Sequence, residues 1–147
     1  MYRRILVATD GSALSKKAVR SSIELAAATG AELVALHVIP RYPVSYFDGS
    51  ISVSTDDIAR TEKHWAEQGQ AVVDKARDAA EAEGVKAKAV TTRSDLVAEA
   101  IMAAAKKHKC DLVVMASHGR RGLKRVLLGS ETQHVLTHSS IPVLVLR

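Results

Sequence analysis

Apolar residues come in short runs along this chain, and most of the runs lack the alternation of a half-exposed strand. Such runs lie within residues 3–9 and in the segments Glu32 to Ile39, Cys110 to Ala116 and Ile141 to Leu146. A short, continuous apolar run is typical of a strand that is covered on both faces, as in a parallel sheet. Val85 to Thr91 differs because its lysines alternate with alanine and valine. This pattern predicts an edge strand with one face in water.

Helical signals occupy the segments between these strands. We predict helices from Ser12 or Ser15 to Thr29, from Asp56 to Ala82, after a cap at Ser94, and from Glu131 to His138. Glycines that follow the first two helices provide stop signals.

The core-facing side of the two middle helices follows from residue spacing. In the long helix the inward residues are expected to be Ile58, Trp65, Val72, Ala76 and Ala79. In the next helix they are expected to be Leu96, Val97, Ala100, Ile101 and Ala104. Apolar residues at these spacings share one face of a helix.

Strands and helices that alternate in this way predict a doubly wound α/β fold. At 147 residues the chain suits one domain covering residues 1–147. A chain of this length buries roughly 70% of the surface that its unfolded form exposes. Ligands of open α/β sheets bind at the carboxyl ends of the strands, where the strand order reverses.

One loop, which follows the strand ending at Ala116, concentrates anion-binding features. Its glycines are Gly119, Gly122 and Gly129, and its cations are Arg120, Arg121, Lys124 and Arg125. Glycine lets backbone N–H groups turn towards an anion without interference from Cβ. Ser130 and Gln133 have the spacing of a capping box, which predicts a helix N-terminus at Ser130. Together these features favour a phosphate group as the ligand.

These residues resemble the universal stress protein family, whose nucleotide-binding branch carries Gly-x2-Gly-x9-Gly-(Ser/Thr) after the fourth strand. The matching stretch here is Ala116-x2-Gly119-x9-Gly129-Ser130, in which alanine replaces the first glycine. The resemblance covers the whole chain, including Ile5 to Ser12, Leu36 to Ile39 and Ile141 to Val145. It implies a Rossmann-like fold of the adenine nucleotide alpha-hydrolase type, with a five-stranded parallel sheet in the order 3-2-1-4-5 and four helices.

The resemblance also implies a nucleotide site where strands one and four end. The ligand would be ATP, or else AMP or ADP, with Mg2+ accompanying the phosphates. Asp10 would contact the ribose and Val38 would line the adenine pocket, close to Ala8, which stands where some relatives have proline. The other residues assigned to the site are Met115, Ala116, His118, Gly119, Arg120, Gly129, Ser130 and Glu131.

Several of these residues also have purely structural interpretations. Asp10 and Ser130 can cap the helices that follow them, and turns need glycine whether or not a phosphate binds. Ala116 weakens nucleotide binding only if it must adopt a positive φ or press against the ligand. The segment from Pro40 to Thr55 is either a poorly ordered connection or a flap near the carboxyl ends of the strands that covers a ligand or touches a partner subunit.

Two functions from different classes remain open. The first is a nucleotide-binding, stress-response regulator or chaperone-like factor; the second is a nucleotide-free scaffold for other proteins. Both include a homodimer, because the apolar fifth strand would leave an exposed sheet edge, and relatives pair through it. A fast enzyme is not expected, since no Gly-x4-Gly-Lys-(Ser/Thr) loop is present and His118 has no paired nucleophile and acid.

Composition narrows the remaining possibilities. The net charge of +5 invites nucleic-acid binding, but aromatic residues make up only 3% of the chain, so no base-stacking surface is expected. His134 and His138 have an i,i+4 spacing without a zinc motif. Neither a signal peptide nor a membrane span is evident, and Cys110 alone forms no intrachain disulfide. The expected location is therefore the cytoplasm.

Overall fold

The structure is a computed structural model that describes residues 1–43, 54–119 and 128–147. These residues form a five-stranded sheet in the order β3-β2-β1-β4-β5, with every neighbouring pair parallel. The strands are β1 (Arg4–Ala8), β2 (Glu32–Ile39), β3 (Ala87–Arg93), β4 (Leu112–Ala116) and β5 (Val143–Leu146). The predicted α/β fold and its strand order are confirmed.

The helices alternate with the strands along the chain. They are α1 (Ala13–Thr29), α2 (Thr55–Ala82), α3 (Val97–Lys107) and α4 (Ser130–His138). The side chain of Ser12 caps α1 by accepting a hydrogen bond from the N–H of Ser15, and Gly30 ends the helix with a φ of 73°. The start and the stop predicted for this helix are both confirmed.

Successive strand residues point into two separate cores on opposite faces of the sheet. Ile5 and Val7 pack in the core beneath α1 and α2, whereas Leu6 packs in the core beneath α3 and α4. All three side chains are completely buried. The apolar run of the central strand is thus explained, because both of its faces are covered.

The predicted inward face of α2 is wrong by about one position. Its buried residues are Gly69, Val73, Ala76 and Ala80, so only Ala76 was assigned correctly. Trp65 is half-buried, and its ring stacks on Tyr42 with the centroids 6.1 Å apart.

The predicted start of α3 also differs from the structure. The N-cap is Leu96, which makes no capping hydrogen bond with its side chain and is 62% exposed. The hydroxyl of Ser94 instead accepts a hydrogen bond from the N–H of Leu96 in a short turn before the helix. Leu96 therefore does not belong to the core-facing side.

Among the described residues, no helix is both long enough and apolar enough to span a lipid bilayer. Most of the segment from Pro40 to Thr55 lies outside the described residues, as does the run from Arg120 to Leu127. The predictions for the aromatic loop and for the four loop cations therefore stay predictions.

Candidate functional site

The carboxyl ends of β1 and β4 meet at one crevice, as the strand order requires. Asp10 and Gly119, which are more than 100 positions apart in the sequence, approach each other there. A Cβ atom on Gly119 would lie 2.7 Å from Oδ2 of Asp10, which is less than any ordinary contact. Gly119 has no positive φ, so the position needs glycine for space and not for a turn.

A local turn fixes the carboxylate of Asp10 at the start of α1. Its Oδ1 accepts a hydrogen bond from the N–H of Ser12 at 2.9 Å. Gly11, between the two, has a φ of 80°, a conformation that a side chain would strain. Asp10 therefore supports the start of α1, as the structural interpretation expected, and it also borders the crevice beside Gly119.

Hydrogen bonds tie the N-terminus of α4 to the end of β4. The N–H of Gly129 donates to the carbonyl of Ser117 at 2.7 Å. The buried hydroxyl of Thr132 lies 3.0 Å from the carbonyl of Ala116 and 3.2 Å from that of Ser117. The first turn of α4 is therefore held beside the crevice. Neither Ser117 nor Thr132 was identified from the sequence, since buried hydroxyl groups leave no pattern there.

The predicted capping box at Ser130 is wrong. Ser130 is the first residue of α4, the N-cap is Gly129, and the cap has no side-chain hydrogen bond. The side-chain amide of Gln133 donates to the carbonyl of Leu128 instead of reaching back to a cap. Among the described residues, no acceptor is recorded for the N–H groups of Ser130 and Glu131. Unpaired first-turn N–H groups make this end of the helix electropositive.

Gly129, like Gly119, lies where a Cβ atom would be crowded. Its φ is −61°, which any residue adopts, but a Cβ there would lie 3.3 Å from the carbonyl oxygen of Ser117. The turn explanation given for both glycines is therefore wrong, because neither has a positive φ. Because neither residue has a Cβ atom, the backbone at these two positions borders the crevice directly.

Ala116 is not strained. It lies within β4, it is 8% exposed, and Lys109 is the only described residue other than glycine with a positive φ. A strand residue with a negative φ accepts alanine as readily as glycine. Alanine in place of the first glycine of the family motif therefore does not strain the backbone.

An apolar patch lies on the α3 and α4 face of the sheet, close to the crevice. Ala8, Val38 and Met115 all pack in the core on that face. Ala8 and Val38 are half-buried, whereas Met115 is 6% exposed. The three residues thus lie on the same face of neighbouring strands, and the exposed parts of Ala8 and Val38 can contact a flat apolar group.

His118 has no catalytic partner among the described residues. Its Nδ1 lies 3.2 Å from the hydroxyl of Ser117, and no carboxylate orients the ring there. No group of three or more His, Cys, Asp or Glu side chains that could hold a metal ion occurs in the described ranges. His134 and His138 lie on α4 with their ring centroids 4.4 Å apart and their planes tilted by 37°, without a third ligand in that part of the chain.

The side chain of Glu131 turns away from the crevice. Its Oε2 accepts a hydrogen bond from the N–H of Ala98, the second residue of α3, at 2.9 Å. Only the backbone of Glu131 is therefore available on the crevice side. The sequence contained no signal for this contact, since it joins residues 33 positions apart.

The described site thus joins Asp10, Gly119, the N-terminus of α4 and the apolar patch. Arg120, also assigned to the site from the sequence, lies outside the described residues.

Comparison with known proteins gives a consistent result. The sequence model of the universal stress protein family matches residues 1–147. Universal stress protein YxiE of Bacillus subtilis is 33% identical over 149 aligned positions, which cover all of both chains.

Two solved structures share the fold. The structure of MJ0577, whose source is Methanocaldococcus jannaschii, superposes with a TM-score of 0.82 at 27% identity, over 99% of this chain and 96% of that one. A universal stress protein in complex with cAMP gives a TM-score of 0.71 at 27% identity, over 99% of this chain and 97% of that one.

Proposed function

Because the chain belongs to the universal stress protein family, we propose that it binds an adenine nucleotide, ATP above AMP or ADP, in the crevice between β1 and β4. The observation that carries this proposal is the approach of Gly119 to Asp10 beside the uncapped N-terminus of α4. Structures of this fold have been solved with cAMP, dAMP or AMP bound. In this proposal the nucleotide acts as a regulatory ligand of a stress-response or chaperone-like protein.

The phosphates are assigned to the first turn of α4. Ser130 and Glu131 present unpaired backbone N–H groups there, and the helix dipole adds roughly half a positive charge. Gly119 leaves room for the phosphates on the opposite side. A Mg2+ ion would arrive with the phosphates, since the described residues offer no ligand cluster of their own.

We assign the ribose and the base to the carboxyl ends of β1 and β2. The carboxylate of Asp10 borders the crevice and can accept hydrogen bonds from ribose hydroxyls, as an acidic residue does in dinucleotide folds. The half-buried surfaces of Ala8 and Val38 supply an apolar contact for adenine. In this orientation the ligand lies across the carboxyl end of β1, with its base near β2 and its phosphates at the start of α4.

Isothermal titration calorimetry with ATP, ADP, AMP and adenosine tests the proposal. Affinity should rise with the number of phosphates, because the helix N-terminus attracts negative charge. GTP is the matched control, since it has the same triphosphate with a different base. Absence of heat with ATP at millimolar concentration would reject the proposal and leave the nucleotide-free scaffold. Small-molecule analysis of the freshly purified protein provides an independent check.

We also assign a homodimer to the outer edge of β5. β4 occupies one edge of β5, and in the described residues no strand pairs with the other. Leu144, which lies on β5, is 40% exposed. Antiparallel pairing of two copies across a two-fold axis would cover both edges and both leucines.

A further inference from the structure

The N-terminus of α3 receives its cap from another helix. Leu96 occupies the N-cap position and offers no side-chain acceptor. The carboxylate of Glu131 fills this role by accepting from the N–H of Ala98 at 2.9 Å. A carboxylate at this end of a helix satisfies an unpaired N–H and interacts favourably with the helix dipole. The second residue of α4 thus fixes the first turn of α3.

This contact also determines whether the N-terminus of α4 is occupied by the carboxylate of Glu131 or is left for an anion from outside the chain. Glu131 lies in the first turn of α4, where its own negative charge would otherwise face the unpaired N–H groups of that turn. Because α3 holds the carboxylate, the N–H groups of Ser130 and Glu131 are left for an anion from outside the chain. The carboxylate of Glu131 thus caps α3 and not its own helix, and the first turn of α4 keeps unpaired N–H groups.

The segment just before α3 is hydrogen-bonded to the end of β2 and to the residues that follow this strand. The N–H of Ser94 donates to the carbonyl of Ile39 at 3.0 Å. The N–H of Arg41 donates to the carboxylate of Asp95 at 3.2 Å. Hydrogen bonds therefore join the segment before α3 to the end of β2, and a separate hydrogen bond joins the first turn of α3 to the start of α4.

From this arrangement we infer that Glu131 is a positioning residue for the phosphate end of the ligand. It acts through α3 and does not contact the nucleotide with its side chain. The inference rests on the proposed nucleotide site. It adds a residue that holds α4, the helix proposed to bind phosphate, in its position against α3. Its effect should grow with the number of phosphates and should be absent for adenosine.

The test compares Glu131→Ala, Glu131→Gln and the control Glu99→Ala by calorimetry with ATP and with adenosine. Glu99 also lies in the first turn of α3, but its recorded partner is His134, 4.0 Å away. We expect Glu131→Ala to weaken ATP binding about tenfold, equivalent to one lost charged hydrogen bond. Glu131→Gln retains a carbonyl acceptor and should stay within about threefold of wild type. Glu99→Ala should match wild type.

Two results would overturn the inference while the proposed function stands. One is ATP binding by Glu131→Ala that equals or exceeds that of wild type. The other is an equal loss of ATP and adenosine affinity, which would indicate a general structural role. Failure of wild type itself to bind ATP rejects the proposed function, and the inference with it. If Glu131→Ala does not fold, Glu131→Gln decides: the inference is overturned if this variant loses ATP and adenosine affinity equally.

Discussion

Gly119 lies against the carboxylate of Asp10, which belongs to the other side of the crevice. Its missing side chain leaves space that a methyl group would take from the carboxylate of Asp10, 2.7 Å away. Asp10 is held on its other side by the N–H of Ser12. A side chain at position 119 therefore displaces a carboxylate that is already engaged, at the point where the ribose is proposed to bind.

Gly119→Ala should lower ATP affinity by about tenfold and leave the melting temperature nearly unchanged, because the displaced group is the end of a side chain and not backbone. Gly84→Ala is the matched control. Gly84 has a φ of 77° with open space around it, so alanine there should cost about 1–2 kcal/mol of stability without changing affinity. Calorimetry with ATP and thermal denaturation of both variants measure the two effects. Equal ATP affinity in Gly119→Ala and wild type would contradict the assignment of Asp10.

Cys110 is the second residue whose surroundings lead to a prediction. It is 7% exposed, and burial raises the pKa of its thiol to about 11. The thiolate is the reactive form, so the native protein should react very slowly with iodoacetamide at pH 8 and faster only as the pH approaches 11. Guanidinium-unfolded protein, in which the pKa returns towards its ordinary value of 9.0, is the control. Fast labelling of the native protein at pH 8 would show that the thiol is accessible.

The same shift affects stability at high pH. Because the pKa of Cys110 is higher in the folded protein, its contribution to stability is complete below pH 9 and decreases as the pH rises towards 11.

At the scale of elements, α2 approaches the sheet unusually closely at Gly69. A Cβ there would lie 2.5 Å from Cδ2 of His37 and 3.2 Å from Cγ1 of Ile39. The ring of His37 cannot move away freely, because its Nδ1 is bonded to the carbonyl of Thr9 at 2.9 Å. A glycine within a helix costs about 1 kcal/mol, and here it permits the helix to pack against β2.

Gly69→Ala should therefore destabilise the protein by about 1–3 kcal/mol, although alanine favours helix formation. The exposed neighbour Gln68 provides the control, since Gln68→Ala should change stability by less than about 0.5 kcal/mol. Urea denaturation followed by circular dichroism gives both values. A more stable Gly69→Ala variant would mean that α2 has room to move away from β2.

Much of the element order could be predicted from the sequence, because apolar runs and helical periodicity follow directly from burial on both faces of the sheet. The face of α2 was misassigned because alanine and valine fill several positions between residues 71 and 80, so more than one face satisfies the pattern. The cap of α4 was misplaced by one position because Gly129 and Ser130 are both acceptable caps.

The candidate site was harder to predict than the fold. Its phosphate side follows from glycines and a helix start that are close in the sequence. The contact between Asp10 and Gly119 depends on strand order, which came from the family resemblance and not from periodicity. The hydrogen bond between Glu131 and Ala98 depends on how α3 and α4 pack, and no local pattern encodes that.

At the scale of the whole molecule, the sheet ends differently on its two sides. β3 is the edge strand that was predicted to have one face in water, and Lys88 on this strand is exposed. β5, the opposite edge, has Leu144 exposed and no charged residue between Val143 and Leu146. Charged edges resist pairing with other chains, whereas apolar edges favour it. The proposed dimer therefore uses β5 and not β3.

Leu144→Lys should convert the proposed dimer to a monomer by placing one charge from each copy in the proposed interface. Leu136→Lys on α4 is the matched control, because Leu136 is 42% exposed and lies outside the edge strand. Sedimentation velocity at several concentrations measures the mass of wild type and both variants. Unchanged dimer in Leu144→Lys, or dissociation by Leu136→Lys alone, would place the interface elsewhere.

The distance along the chain between Asp10 and Gly119 also has a consequence for biosynthesis. β1 leaves the ribosome early, but its neighbour on the crevice side, β4, ends at Ala116, and α4 follows only at Ser130. A nascent chain that stops before β4 has made the wall with Asp10 and lacks the opposite wall. Any ligand that needs both walls can therefore be captured only after translation has passed the start of α4 at Ser130.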